Sequence, residues 1–230
     1  MGETTAILTP DGLMHAYVAR PVAERAPAIV VIQEIFGVNA VMRGIADDFA
    51  GDGYLAVCPD LFWRIEPGID ISDRSPGELK RAFELFNEFN VETGVRDIAA
   101  TIDHARGDPK CPSRVGAVGF CLGGLLAVLT AARTDADACV AYYGVGIERY
   151  LDEVRKTVTP LLIHLAEEDQ FVSKEAQSAI VSVLGGAKNV AIHTYSGRDH
   201  AFAREGGDNH HPADAALARE RTLAFFRAHL

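Results

Sequence analysis

Short aliphatic and β-branched runs alternate with longer amphipathic stretches along this chain. Residues 4–9 and 14–19 flank Pro10-Asp11-Gly12, a turn signal, and read as an opening hairpin. Residues 28–32 form a β-branched run bounded by Pro27 and polar Gln33, the pattern of a buried strand. Residues 39–50 carry helical spacing, with Asn39 as cap and Gly51 as stop. Residues 54–58 read as a strand ended by Pro59, and 60–76 as a loop rich in Pro, Gly and Asp. Two helices follow over 76–90 and 92–106, with a break expected near Gly94. Strands are then expected over 114–120, 138–143, 161–166 and 190–195. Helices are expected over 122–133, 174–184 and 213–230. Such an order implies an α/β fold with a mostly parallel central sheet and helices on both faces. The irregular stretches 60–75, 144–159 and 196–212 are where a site would be built, because open α/β sheets bind ligands beyond the carboxyl ends of their strands.

The length of 230 residues favours a single domain spanning 1–230 and suffices for a core without staples. An apolar share of 48% and a charged share of 23% are those of an ordinary globular protein. The net charge of −10 argues against a nucleic-acid partner, since the chain is poor in cations that could displace phosphate counterions. One local arginine could still hold a small anion. The four cysteines are widely spaced with no Cys-x-x-Cys pair, so neither a metal knuckle nor a disulfide framework is expected. The first ten residues lack the long apolar run of a signal peptide, and no apolar run is long enough for a membrane span. A cytoplasmic location with reduced thiols follows as the simplest expectation.

The most informative segment is Gly119-Phe120-Cys121-Leu122-Gly123-Gly124, which ends one apolar run and opens another. Gly-x-Cys-x-Gly between strand and helix has the form of the sharp nucleophile turn of α/β-hydrolases, with Cys in place of Ser. The strained nucleophile needs neighbours without bulk at −2 and +2. A helix N-terminus behind the sulfur favours a thiolate and a developing oxyanion. A buried structural cysteine in a glycine-rich turn would look similar in isolation. Strand before, helix after and partners in the right order favour the nucleophile. Cys58 and Cys139 lie in strand patterns as core residues, and Cys111 lies in a loop.

In this arrangement the acid and then the histidine follow the nucleophile, each beyond a late strand. The strand 161–166 runs into Glu167-Glu168-Asp169-Gln170, and 190–195 runs into Ser196-Gly197-Arg198-Asp199-His200. Asp169 and His200 are therefore the candidates, with Glu167 and Glu168 as rivals for the acid. An imidazole can take the thiol proton and return it to a leaving oxygen, and a carboxylate holds it in the useful tautomer. His15, His104, His164, His193 and His229 read as packing or surface residues, and His210-His211 as a polar loop pair without metal spacing.

These residues resemble the dienelactone hydrolases, or carboxymethylenebutenolidases. The resemblance rests on Gln33-Glu34-Ile35-Phe36-Gly37-Val38-Asn39, the Cys121 turn, Asp169, His200-Ala201-Phe202-Ala203-Arg204 and Ala141-Tyr142-Tyr143-Gly144-Val145-Gly146. It covers nearly the whole chain. It implies an α/β-hydrolase fold, a monomer, no cofactor, and a Cys121–His200–Asp169 triad that opens a dienelactone to maleylacetate in aromatic-compound breakdown. It further implies that Glu34 holds the resting thiol, that backbone N–H groups of Ile35 and Leu122 form the oxyanion hole, and that Arg204 clamps the substrate carboxylate. Phe36, Phe83, Phe86 and Tyr143 are carried over as substrate-binding residues. The residues themselves support two of these roles. Glu34 follows directly on an apolar strand, and a carboxylate beside a thiol keeps it quiet until needed. Arg204 lies four residues past the base, and a guanidinium can grip a carboxylate bidentately.

The sequence also departs from the family. A second substrate-gripping arginine is replaced by Leu79, and a tyrosine and a tryptophan by Phe83 and Phe86. Lys80 and Arg81 are adjacent, with Arg81 kept as a substrate-binding candidate, although on a helix both point elsewhere than position 79. The expected partner is thus a small anionic lactone or ester, with a broader ester, lactone or thioester hydrolase as the alternative.

Overall fold

The computed structural model describes residues 2–111 and 114–230, which fall into two compact units divided between Ala117 and Val118.

In the first unit, β1 (Glu3–Thr9) and β2 (Gly12–Ala19) form the expected antiparallel hairpin. β2 pairs antiparallel with β4 (Leu55–Pro59), and β4 pairs parallel with β3 (Ala28–Ile32). Every residue of β3 and β4 is buried, which is why both read as continuous apolar runs rather than alternating ones. Helices α1 (Ala40–Gly51), α2 (Pro76–Glu88) and α3 (Val91–Arg106) complete the unit. Each starts at a side chain that accepts a backbone N–H of its first turn: Asn39, Ser75 and Asn90 respectively.

The break between α2 and α3 lies at Phe89-Asn90, not near Gly94. Gly94 sits inside α3, where a Cβ would come within 2.4 Å of the Phe89 ring. The glycine therefore serves ring packing, and the helix is ended instead by the extended backbone of Phe89 and restarted by the Asn90 cap.

On α3 the buried Asp97 accepts from Trp63 Nε1 at 2.9 Å and from the Arg64 guanidinium, tying the long loop after β4 to a helix.

The second unit begins in the last half of β5 (Val115–Phe120) and continues through α4 (Leu122–Arg133), β6 (Ala138–Tyr142), α5 (Leu151–Val154), β7 (Leu161–Ala166), α6 (Lys174–Leu184), β8 (Val190–Tyr195) and α7 (Pro212–His229). Strands β6, β7 and β8 pair in parallel in that order, with Tyr142 beside His164 and Ala166 beside Tyr195. α4 is buried from Leu122 through Ala131, which accounts for its nearly unbroken apolar sequence. β6 ends one residue earlier than expected, because Tyr143 takes a positive φ of 38°. The stretch after it is less irregular than expected and holds a 3-10 turn at Ile147–Tyr150 followed by α5. His211 is no idle loop residue: its ring accepts the Asp214 N–H and caps α7. His164, wholly buried in β7, is hydrogen-bonded on both nitrogens, to the Tyr195 hydroxyl at 2.8 Å and the Thr222 hydroxyl at 3.0 Å. Among the described residues no helix is long and apolar enough to cross a membrane.

Asp97→Ala is expected to cost about 1–3 kcal/mol in urea unfolding, since it strips Trp63 and Arg64 of a buried acceptor. Glu92→Ala, on the same helix, should change stability by less than about 0.5 kcal/mol.

Candidate active site

β5 delivers six consecutive buried residues and then stops abruptly at Cys121, whose backbone stands at φ 57° and ψ −115° before α4 begins. A side chain rarely adopts this conformation, and the surrounding backbone holds it there. A Cβ on Gly119 would fall 1.8 Å from the Gly123 carbonyl oxygen, so the turn can close only with glycine at that position. The Cys121 N–H donates to the Tyr142 carbonyl at 3.1 Å, and the Cys121 carbonyl accepts from Gly124 N–H at 3.0 Å. Gly124 in turn lies so close to Gly144 that a Cβ on it would meet Gly144 Cα at 2.7 Å. The outcome is a thiol projected from the end of a rigid strand, beside the first N–H groups of α4. Cys121 is partly exposed, whereas Cys58, Cys111 and Cys139 are buried. The sequence-based placement of Cys111 as a loop residue holds, but its side chain is enclosed.

The loops after β7 and β8 bring Asp169 and His200 together. His200 Nδ1 lies 2.9 Å from Asp169 Oδ2 and 3.1 Å from Oδ1, and both side chains are almost fully buried. Asp169 Oδ1 also accepts the Phe171 N–H at 2.9 Å, which fixes the carboxylate against rotation. The Cys121 sulfur lies near enough to the same imidazole to act on its charge. With Nδ1 committed to Asp169, Nε2 is the nitrogen available to the sulfur.

The rival acids are occupied elsewhere. Glu167 accepts from the Ser196 hydroxyl at 2.6 Å and the Gly197 N–H at 2.9 Å, and Glu168 pairs with Lys174 at 2.8 Å. Burial works to lower the His200 pKa, but the Cys121 charge, the Asp169 hydrogen bond and the Cys121 hydrogen bond outweigh it and raise the value to about 10.

Two aromatic edges frame the base. Tyr143 approaches the His200 ring at 5.1 Å between centroids and Phe171 at 4.9 Å, both edge-on. Tyr143 is buried, and its N–H donates to the His164 carbonyl at 2.9 Å. Phe171 is 47% exposed, an unusual position for a large apolar ring beside a buried charge pair. Neither Phe171 nor Asp199, whose carboxylate accepts the His200 N–H at 2.6 Å, stands out in the sequence, because nothing but adjacency to Asp169 and His200 marks them. Arg204 follows in a half-buried turn, its N–H donated to the Ala201 carbonyl at 2.9 Å.

The remaining candidates belong to the first unit. Glu34 lies two residues past the end of β3 and is 3% exposed, so it is no solvated loop acid. Ile35 and Phe36 are buried with it. The segment is pinned by Gly37, whose φ of 75° and 2.0 Å Cβ clearance to the Ile69 carbonyl exclude any other residue. Phe83 is exposed and Phe86 half-buried on α2. The Arg81 guanidinium is engaged by Glu66 at 2.8 Å and Glu84 at 3.2 Å, and Lys80 faces Glu84 at 3.8 Å.

The family model for the "Dienelactone hydrolase family" matches residues 14–230. The chain belongs to the dienelactone hydrolase family. It is 48% identical over 224 residues to the "Putative carboxymethylenebutenolidase" of Azospirillum brasilense, across 96% of this chain and 95% of that one. It is 40% identical to the carboxymethylenebutenolidase of Pseudomonas putida, across 97% and 95%. Among solved structures, the "Putative Dienelactone Hydrolase" of Klebsiella pneumoniae superposes with a TM-score of 0.87 at 27% identity, covering 99% of this chain and 98% of that one. The fold is the α/β-hydrolase fold of that family, as its motifs imply.

Nitrogen-15 NMR should find the His200 imidazole titrating far above 6.5, near 10, and its value should fall in Cys121→Ala, which removes the sulfur. The folded value exceeds the unfolded one of about 6.5, so this interaction stabilises fully below that pH and is lost as pH rises towards about 10. An unchanged titration in Cys121→Ala would remove the sulfur as a cause.

Proposed function

We propose that this dienelactone hydrolase family member is a cysteine-dependent enzyme that opens a small, carboxylate-bearing enol-lactone, dienelactone to maleylacetate, through an acyl-enzyme. One observation carries the mechanism: a single imidazole hydrogen-bonded to the Asp169 carboxylate and raised in pKa by the nearby Cys121 sulfur. Its chemistry is that of a nucleophile, a base and an orienting acid. The substrate assignment draws on the carboxymethylenebutenolidases to which the chain is similar.

In this reading His200 takes the Cys121 thiol proton as the sulfur attacks the lactone carbonyl and forms a C–S bond. The tetrahedral oxyanion collapses, the ring C–O bond breaks, and the enolate leaves with a proton from His200. Water, deprotonated by His200, then attacks the thioester carbonyl and releases the carboxylate product and the thiol. Asp169 keeps Nδ1 protonated throughout, so that Nε2 faces the reacting atoms. The Leu122 N–H, first in α4, is suited to the developing oxyanion by the helix dipole. Arg204 is assigned to the substrate carboxylate and Tyr143 to the wall beside the base. For Glu34, Ile35, Phe36, Arg81, Phe83 and Phe86 the family resemblance carries the assignment. The same proposal places the enzyme, as a monomeric single-domain protein without cofactor, in the cytoplasm and in aromatic-compound degradation.

A broader ester, lactone or thioester hydrolase is the second reading, favoured by Leu79 standing where the family has an arginine and by Arg81 being held by Glu66 and Glu84. Losing one charge-assisted contact would weaken grip on a carboxylate by roughly ten- to a hundredfold.

Loss of the ultraviolet absorbance of dienelactone, followed with wild type and Cys121→Ala, tests both. Wild type should open the lactone, and the variant should be slower by at least about a thousandfold. Full activity in Cys121→Ala rejects the mechanism. Fast turnover of aryl esters with none of dienelactone selects the broader hydrolase.

A further inference from the structure

Asp199 touches neither Asp169 nor Cys121 through any bond the catalytic reading uses, yet it joins the two loops that must meet. Its Oδ1 accepts the His200 N–H at 2.6 Å and the Gln170 N–H at 3.0 Å. Its Oδ2 accepts from Gln170 Nε2 at 3.3 Å. Gln170 directly follows Asp169, so one carboxylate grips the main chain next to the acid and the main chain of the base together. The other ties lie on the far side of Asp169: the Glu167 N–H to the Tyr195 carbonyl at 3.1 Å, the Glu168 N–H to the Arg198 carbonyl at 2.7 Å, and the Ser196 hydroxyl and Gly197 N–H to the Glu167 carboxylate at 2.6 and 2.9 Å. We infer that Asp199 is a positioning residue, a clip that sets the distance between the Asp169 carboxylate and the His200 imidazole. The inference rests on the catalytic role proposed for that pair.

A clip of this kind acts by geometry and needs acceptor oxygens, not charge. An asparagine keeps one acceptor for the two backbone N–H groups; an alanine keeps none. Displacing a catalytic group slightly lowers turnover far more than substrate binding.

The test compares wild type, Asp199→Asn and Asp199→Ala in dienelactone hydrolysis, with the His200 imidazole followed by nitrogen-15 NMR. Asp199→Ala should lose on the order of ten- to a hundredfold in kcat with KM changed less than about threefold, and its Nδ1–H signal should shift and exchange faster with water. Asp199→Asn should recover kcat to within about threefold of wild type. Should the alanine variant fail to fold, Asp199→Ser takes its place, being too short to reach both loops. Wild-type kcat and an unaltered imidazole signal in the alanine or serine variant overturn the clip. So does an asparagine variant as slow as alanine, which would make charge the cause. Failure of the catalytic reading shows separately, as full activity in Cys121→Ala.

Discussion

A cysteine forced to φ 57° at the junction of β5 and α4 is the constraint on which the rest of the site depends. Such a conformation costs on the order of 1–3 kcal/mol and persists only where its surroundings overdetermine it. Here they do so through backbone alone. Gly119 folds against the Gly123 carbonyl, Gly124 against Gly144, and the Cys121 N–H is anchored on Tyr142. No side chain needs to move for the thiol to be presented. Its direction is fixed by the strand and the first turn of a buried helix.

Given a thiol held in that place, the electrostatics follow from two loops at the ends of adjacent parallel strands. His200 is buried, and burial alone would keep it neutral. The sulfur on one side and the Asp169 carboxylate on the other reverse that preference. The carboxylate is itself held by the Phe171 N–H, and the base is enclosed by Tyr143 and Phe171. Water exclusion on these faces strengthens the charge interactions of the base. The buried network of Tyr142, Thr222, His164 and Tyr195 lies beneath, on the same strands that end at the site. It satisfies polar groups in a part of the core where an unpaired one would be costly.

Much of this was legible in the sequence, and what was not has local causes. Continuous apolar runs located β3, β4, β5 and β7 because those strands are buried on every face. The Gly-x-Cys-x-Gly spacing marked the turn because backbone contact at Gly119 admits no other residue. The sequence favours Asp169 but keeps Glu167 and Glu168 as rivals, since three adjacent acids leave a strand end in different directions; the fold brings Asp169 to the ring. Gly94 was misread as a break because glycine marks both helix ends and close packing, and here the Phe89 ring required it. Tyr143 shortened β6 through a positive φ that tyrosine does not advertise. Phe171 and Asp199 act through contacts between residues 29 apart in the chain, which no local pattern records.

The account stands on covalent attack by one sulfur, and the most direct measurement is rapid acid quenching of wild-type enzyme during dienelactone turnover, followed by peptide mass mapping. Ring opening onto a thiol loses no atoms, so the expected result is the peptide containing Cys121 heavier by the whole mass of the substrate, and no other peptide altered. Saturated, ongoing turnover with that peptide unmodified, or with the added mass on a different residue, would contradict it.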